Sequence, residues 1–364
     1  MILLDSGAST PLRPEVRAAM EPWLGADGGN PSSLHAAGRR ARKAVEDARE
    51  RVADALRVDP REIVFTSGAT ESNALAILGV PAPERLLTSA VEHPSVLEPV
   101  ARRRVPFDRA PVQADGRLLA VPSGAGFASL QAVNHETGAL HPLAELRKSI
   151  PGAILHVDGA QAAGKIPLSL EGVDLLTFSG HKIHGPRGVG GLWIRRGILL
   201  EPLLAGGRQE FGVRAGTENV AGIVGLGEAL ALAVKELPVA APRMATFRDR
   251  LEQVLLRLPG ARRNGPDRER APHLCNVAFE GVEGETLVHA LDAEGLCVSS
   301  GSACASGSSE PSSVLLAMGQ PPARAREGVR FGVSALTTSA DVESALEIVE
   351  RTLARLRAAP AEAT

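Results

Sequence analysis

The chain has 364 residues, enough for about two domains with sizeable cores. Its hydrophobic content of 44% and formal net charge of −2 give neither the basic footprint of a nucleic-acid binder nor an acidic tail. No apolar run approaches the ~20 residues of a membrane span, no basic leader precedes a signal-length apolar core, and three cysteines lack disulfide spacing, so a cytoplasmic setting is expected.

Residues 1–12 read as a short extended arm closed by the Ser9-Thr10-Pro11 turn, and Pro14 to Trp23 as a helix. Small and apolar residues recur at 41, 44, 45, 48, 52, 55 and 56, which predicts an amphipathic helix over Leu34 to Val58. Glu62 to Thr66 predicts a strand, followed by Ser67-Gly68-Ala69-Thr70-Glu71 and a helix to Leu78. Strand, glycine turn and helix N-terminus make an anion site, although the same residues equally suit an ordinary Ser/Thr helix cap.

Arg85 to Ser89 predicts a second strand, leading into Val91-Glu92-His93-Pro94-Ser95. Residues 101–126 are rich in Arg, Pro and Gly without a clear period and predict an irregular connection. Strands are expected at Phe127 to Val133, before Asn134-His135-Glu136, and at Ile154 to Asp158, before Gly159-Ala160-Gln161. Strands alternating with helical stretches imply an α/β fold, a largely parallel sheet covered on both faces with ligands at the carboxyl ends of its strands. Thr66, His93, Asn134, Asp158 and Lys182 each fall at or just past such an end, so one crevice can collect them.

The stretch Asp174 to Gly188 begins as a buried strand and then breaks into glycines, histidines and Lys182. A lysine in such a turn is ordinarily solvated, because an ammonium is costly to desolvate. Here Ser179 and His181 flank it as donors, and Gly180 and Gly185 let the backbone approach a ligand. Partial burial lowers the basicity of an amine, as Schiff-base formation requires. That combination points to pyridoxal 5′-phosphate (PLP), whose pyridine nitrogen needs a carboxylate, and Asp158 has the right position for it. His181 and His184 lack a third ligand, so no metal site is expected.

Val189 to Arg195 predicts a further strand, and a helix runs from the 206–219 loop to about Leu237, where Pro238 and Pro242 mark a boundary. Beyond it the pattern is α+β: helix 243–258, strand 274–279, helix 285–294, a strand-like Leu296-Cys297-Val298, strand Gly328 to Val333 and a closing helix 340–357. The expected domains are 14–240, which binds the cofactor, and a smaller one of 1–13 with 241–364. Cys275 alternates with Val277 and Phe279 on an apparent strand and Cys297 sits between Leu296 and Val298, so both are expected in the core. Cys304 lies among Ser, Gly and Ala with little to bury it, as suits a thiolate on a loop.

Five motifs occur in one order: Ser-Gly-Ala-Thr-Glu-Ser at 67–72, Glu92-His93, His156-Val157-Asp158-Gly159-Ala160-Gln161, Ser179-Gly180-His181-Lys182 and Ser299-Ser300-Gly301-Ser302-Ala303-Cys304. Together they resemble the group I cysteine desulfurases of the class V aminotransferases, PLP fold type I. The resemblance runs from Leu4 to the last helix. It implies a large domain with a mainly parallel seven-stranded sheet and a small α+β domain carrying the cysteine loop. It also implies conversion of L-cysteine to L-alanine with a persulfide left on Cys304, feeding iron–sulfur cluster assembly or another thiolation pathway.

By the same resemblance, Lys182 binds the cofactor covalently and moves the Cα proton, Asp158 pairs with the ring nitrogen, and Gln161 donates to the phenolic oxygen. His93 stacks on the ring, while Ala69, Thr70, Ser179 and His181 hold the phosphate. Thr217 reaches the phosphate of a partner subunit, which implies a homodimer with shared sites, and a sulfur-acceptor or scaffold protein is the implied further partner. Arg330 clamps the substrate carboxylate, with Asn134 and His135 beside it; common members carry Asn-Asn-Glu where this chain has Asn134-His135-Glu136. The alternatives are a selenocysteine lyase and a related PLP-dependent aminotransferase. Many such aminotransferases place a tyrosine at the phenolic oxygen, and this chain has none.

Overall fold

Short runs that are apolar on both faces build the central sheet. In the computed structural model, which describes residues 1–25, 28–119, 121–301 and 310–358, the first half of the chain contains β1 (Ile2–Leu3), α1 (Pro14–Met20), α2 (Ala36–Leu56), β2 (Ile63–Thr66), α3 (Ala69–Gly79), β3 (Leu86–Ser89), α4 (Pro94–Arg102), β4 (Phe107–Ala110), β5 (Phe127–Gln131), α5 (Leu143–Ser149) and β6 (Ile154–Asp158). There follow β7 (Leu175–Ser179), β8 (Gly190–Ile194), α6 (Val220–Leu255), β9 (Ala261–Asn264), β10 (Leu274–Phe279), α7 (Gly284–Ala293), β11 (Leu296–Cys297), β12 (Ser299–Ser300), α8 (Ser313–Ala317), α9 (Pro322–Arg326), β13 (Gly328–Gly332) and α10 (Ser339–Ala358).

Seven strands form one sheet in the order β2-β8-β7-β6-β5-β3-β4. All pairings are parallel except those of β8, which runs against both β2 and β7. This is the α/β architecture of PLP fold type I. Alternate residues of each strand serve opposite faces. Ile63, Phe65, Leu176 and Phe178 pack with Val45, Val52, Leu226 and Leu230 of α2 and α6. Val64, Leu175 and Leu86 face the other way, onto Leu75 and Ile77 of α3 and Val96 and Val100 of α4. Helices on both faces leave the carboxyl ends of the strands as the place where a ligand can approach backbone and side chains.

A second core gathers Met244, Leu251 and Leu255 of α6, Val277 and Phe279 of β10, Leu287 and Leu291 of α7, Val329 and Phe331 of β13, and Val342 and Leu346 of α10. Its antiparallel sheet has the order β12-β13-β10-β9. Leu4 belongs to this core as well, because β1 pairs in parallel with β11. The arm then crosses to the large sheet: Thr10 N donates to His181 O at 2.8 Å and Arg13 N to His184 O at 3.1 Å.

Three expectations need correction. The helix expected to end at about Leu237 does not stop there, for α6 runs unbroken from Val220 to Leu255 through Pro238 and Pro242. Both rings lie exposed, on a face where water can satisfy the carbonyls they leave without a donor. The connection at 101–126 contains β4, an edge strand whose Phe107-Asp108-Arg109-Ala110 buries only Ala110 and is held by pairing with β3. Such a strand has no apolar pattern to read. Cys297 is half-exposed rather than core, because Leu296 and Val298 take the buried side and the period of two turns Cys297 outward. Cys275, by contrast, is buried in the second core, and burial pushes its thiol up to about 12.

Candidate active site

The carboxyl ends of β6 and β7 place the two groups from which the site is built. β6 ends in Asp158, whose Oδ1 accepts from Ala160 N and whose Oδ2 accepts from Asn73 Nδ2, both at 2.9 Å. β7 ends in Ser179 and turns at once through the 3-10 segment Gly180–Lys182. Only glycine fits at 180, since a Cβ there would lie 2.8 Å from Pro186 O. The turn carries the Lys182 amine inward, where Nζ donates to Gly7 O at 2.6 Å. The same carbonyl accepts from Gln161 Nε2 at 2.8 Å, so one peptide of the N-terminal arm ties two strand ends together.

His93 begins α4, with its Nδ1 accepting from Ser95 N at 3.1 Å. Its ring stands edge-on to that of His135, centroids 5.2 Å apart. Burial holds both imidazoles below their usual range, His135 well below, and the Lys182 and Arg330 charges push both the same way. Beside them Arg330, buried on β13, spends Nη1 on His135 O (2.9 Å) and Nη2 on Asp5 Oδ1 (3.0 Å). Its Nε is buried and has no hydrogen-bond partner among the described residues. Glu92, fully buried next to the site, is raised to about 8 by burial, and the nearby Asp158 charge pushes it the same way.

The third wall has the geometry of an anion site. α3 opens at Gly68, which offers no side-chain cap, so the N–H groups of its first turn point into the cleft lined by Gly68, Ala69 and Thr70. His181 lines the same wall, and burial together with Lys182 lowers it to about 4, leaving a neutral ring. Ser179 Oγ is buried without a partner among the described residues. The cleft spans about 570 Å³ and also takes in Gln131, Gln161, Arg187, Ser300, Gly301 and Arg330. An anion cup, a strand-end carboxylate, a ring to stack on and an amine fit PLP. The unpaired Ser179 hydroxyl and the uncapped helix are the features such a phosphate would satisfy.

The aminotransferase class-V family model matches residues 2–345. The chain belongs to the class-V aminotransferase family. It is 44% identical over 378 residues to a cysteine desulfurase of Cereibacter sphaeroides, covering 98% of this chain and 97% of that one. Identity to a cysteine desulfurase of Trichormus azollae is 42% over 376 residues, with 98% and 94% covered. Among solved structures, a NifS-like protein superposes with a TM-score of 0.89 at 34% identity, covering 97% of this chain and 99% of that one.

In this class-V aminotransferase, Ala69, Thr70, His93, His135, Asp158, Gln161, His181, Lys182 and Arg330 line one cleft, as their positions after strand ends suggest. Ser179 sits just beneath it, at the end of β7. Asn134 does not line it: the residue is fully buried, its Nδ2 donates to Val91 O, and its Oδ1 accepts from Glu136 N, Thr137 N and Thr137 Oγ1. It holds the turn that presents His135. Thr217 is exposed outside the cleft. Cys304 lies outside the described residues, although Ser300 and Gly301 line the cleft. Sequence reading missed Asn73, Asp5 and Gly7. Asn73 follows Thr70 by one helical turn, a spacing that places both on one face. Asp5 and Gly7 carry no local signal, since their partners lie far along the chain.

Proposed function

We propose that the protein is a PLP-dependent cysteine desulfurase, taking L-cysteine to L-alanine and leaving the sulfur as a persulfide on Cys304. The observation that carries this reading is the convergence of Lys182, Asp158, His93 and Arg330 on one cleft whose wall, at Gly301, lies three residues before Cys304. Three residues of chain span at most about 11 Å, a reach that covers a substrate held in that cleft. The relatives named cysteine desulfurase, matched over nearly the full chain, support the same chemistry.

PLP, when bound, supplies an electron sink that acidifies the substrate Cα proton. Asp158, held by Asn73 and the Ala160 N–H, keeps a proton on the pyridine nitrogen. The first turn of α3, Ser179 and His181 bind the phosphate, and His93 stacks on the ring. Arg330, which lines the cleft, binds the substrate carboxylate with its guanidinium while Asp5 and His135 O fix its plane. The Lys182 amine takes the Cα proton and returns it during the reaction. The Cys304 thiolate attacks the substrate sulfur, forming an S–S bond as the Cβ–S bond breaks. The electron pair of that bond stays with the carbon skeleton, which takes up a proton to become alanine.

The reading includes a homodimer. Thr217 is exposed, and near it in the chain Phe211, Leu203 and Leu204 show substantial apolar surface, as a contact with a second copy would require. A cytoplasmic setting and a sulfur-acceptor protein complete it. No described helix is long and apolar enough to cross a membrane.

The test is single-turnover alanine release from L-cysteine, with mass spectrometry of the peptide containing Cys304. The wild type should release alanine and gain one sulfur on that peptide. Cys304→Ser should stay yellow and folded yet do neither. Near wild-type alanine release by Cys304→Ser would refute the mechanism.

A further inference from the structure

A second buried amine lies behind Lys182. Lys165 is only 6% exposed, and no carboxylate pairs with it among the described residues. Its Nζ donates to Gln161 Oε1 at 2.8 Å, and His273 Nε2 lies 3.1 Å from the same oxygen and 3.4 Å from the Lys165 amine. A carbonyl oxygen only accepts, so His273 carries its proton on Nε2. On the other side Gln161 Nε2 donates to Gly7 O, which also receives Lys182 Nζ. Three hydrogen bonds therefore set the polarity of one amide. Turned over, Gln161 would face its carbonyl to the Gly7 carbonyl and lose both donors behind it.

The groups facing Lys165 explain why it serves as a donor and not as half of an ion pair. Burial lowers it well below the ordinary lysine range, and the Lys182 and Arg330 charges push the same way. The small cavity it shares with Lys182 is lined by Arg13, His184 and Glu236, but Glu236 is taken by Arg13 through bonds of 2.7 and 3.0 Å. A short neutral donor such as Ser could reach Gln161 Oε1 only from closer in. A lysine spans the distance, and its position costs solvation that a purely structural site would avoid with an apolar residue.

We propose that Lys165 is a positioning residue that, with His273, locks the Gln161 amide so that its N–H edge faces Gly7 and the cleft, ready to donate to the phenolic oxygen of bound PLP. The inference rests on the cofactor reading above. A hydrogen bond donated to that oxygen stabilises its anion and lowers the pH at which the bound chromophore loses its proton. Freed to turn over, the amide presents its carbonyl instead, and the midpoint rises.

The experiment is a pH titration of visible absorbance on the PLP-loaded protein. Lys165→Met, which keeps the length and loses the donor, should raise the midpoint by roughly one pH unit, the scale of one hydrogen bond. In a Gln161→Ala background the same substitution should shift nothing further, because Lys165 acts through Gln161. His273→Leu should give a smaller rise of the same sign and decides the matter if Lys165→Met does not fold. An unchanged midpoint in the variants, or an equal shift with and without Gln161, overturns the proposal. Absence of any visible band in the wild type mixed with PLP would instead overturn the cofactor reading.

Discussion

Glu92 offers a test that needs neither cofactor nor substrate. Its side chain is buried to 1% exposure, accepts one hydrogen bond from Ser89 Oγ at 2.5 Å, and leaves Oε2 without a partner among the described residues. Burial raises the carboxyl from an ordinary value of 4.5 to about 8, with the Asp158 charge acting in the same direction. The folded protein thus holds a proton that the unfolded chain releases above pH 4.5. A raised carboxyl leaves stability intact below the unfolded value and costs stability as pH climbs toward the folded one. Between pH 5 and 8 the shift is worth roughly 3–4 kcal/mol. At roughly 2.1 cal/mol/K per residue of unfolding entropy, that is a Tm difference of about 5 °C for a chain of this length. Glu92→Gln keeps the shape and cannot titrate. Calorimetry of the cofactor-free wild type and variant at pH 5, 6, 7 and 8 should show the variant gaining about 5 °C relative to wild type as pH rises. A difference that stays constant across this range would mean Glu92 is ionised throughout, and the reasoning would fail.

His135→Asn should change KM for cysteine by no more than about tenfold, because in the proposed mechanism Arg330 carries the substrate carboxylate and His135 contributes at most one hydrogen bond. Loss of PLP binding in that variant would show that the contact of its ring with His93 seats the cofactor. Asn73→Ala removes a 2.9 Å donor to the Asp158 carboxylate and should weaken PLP affinity about 10- to 100-fold, measured by equilibrium titration. Unchanged affinity would show that the Ala160 N–H suffices. Arg49→Met strands Glu210, which is bonded at 2.9 Å to both Arg49 amino groups and sits with it almost fully buried. It should cost about 3–5 kcal/mol in denaturant unfolding, and a loss below ~1 kcal/mol would contradict that account.

What the sequence disclosed follows from how each feature is held. Six strands of the large sheet were legible because they read as short, mostly apolar runs, while the count of seven came from the family resemblance; the cleft was legible because Asp158, Lys182 and the α3 N-terminus lie at or just past the ends of such strands. β4 was missed because it is held by backbone pairing alone, and the continuity of α6 because its prolines sit where water replaces the lost bonds. Cys297 was misplaced because apolar neighbours say little about which side of a strand a residue takes. The partners of Arg330 and Gln161 were invisible for a different reason. Asp5 and Gly7 belong to an arm with no motif of its own, and their value lies wholly in what they meet.

That arm has a consequence for the order in which the molecule can be made. Gly7, through its carbonyl, touches Lys182 and Gln161, and Asp5 holds Arg330, 325 residues downstream. During synthesis the arm must therefore wait for β13 before it can meet Arg330. The large sheet can close beforehand, since none of its pairings needs residue 330. Until β13 arrives, the arm lacks its contacts with Arg330 and Gly332, and the clamp proposed for the substrate carboxylate is not assembled. On the proposed reading, a nascent chain in that state can gather the groups assigned to the cofactor before the substrate site is complete. The seam between the two ends makes reactivity the last property the chain acquires.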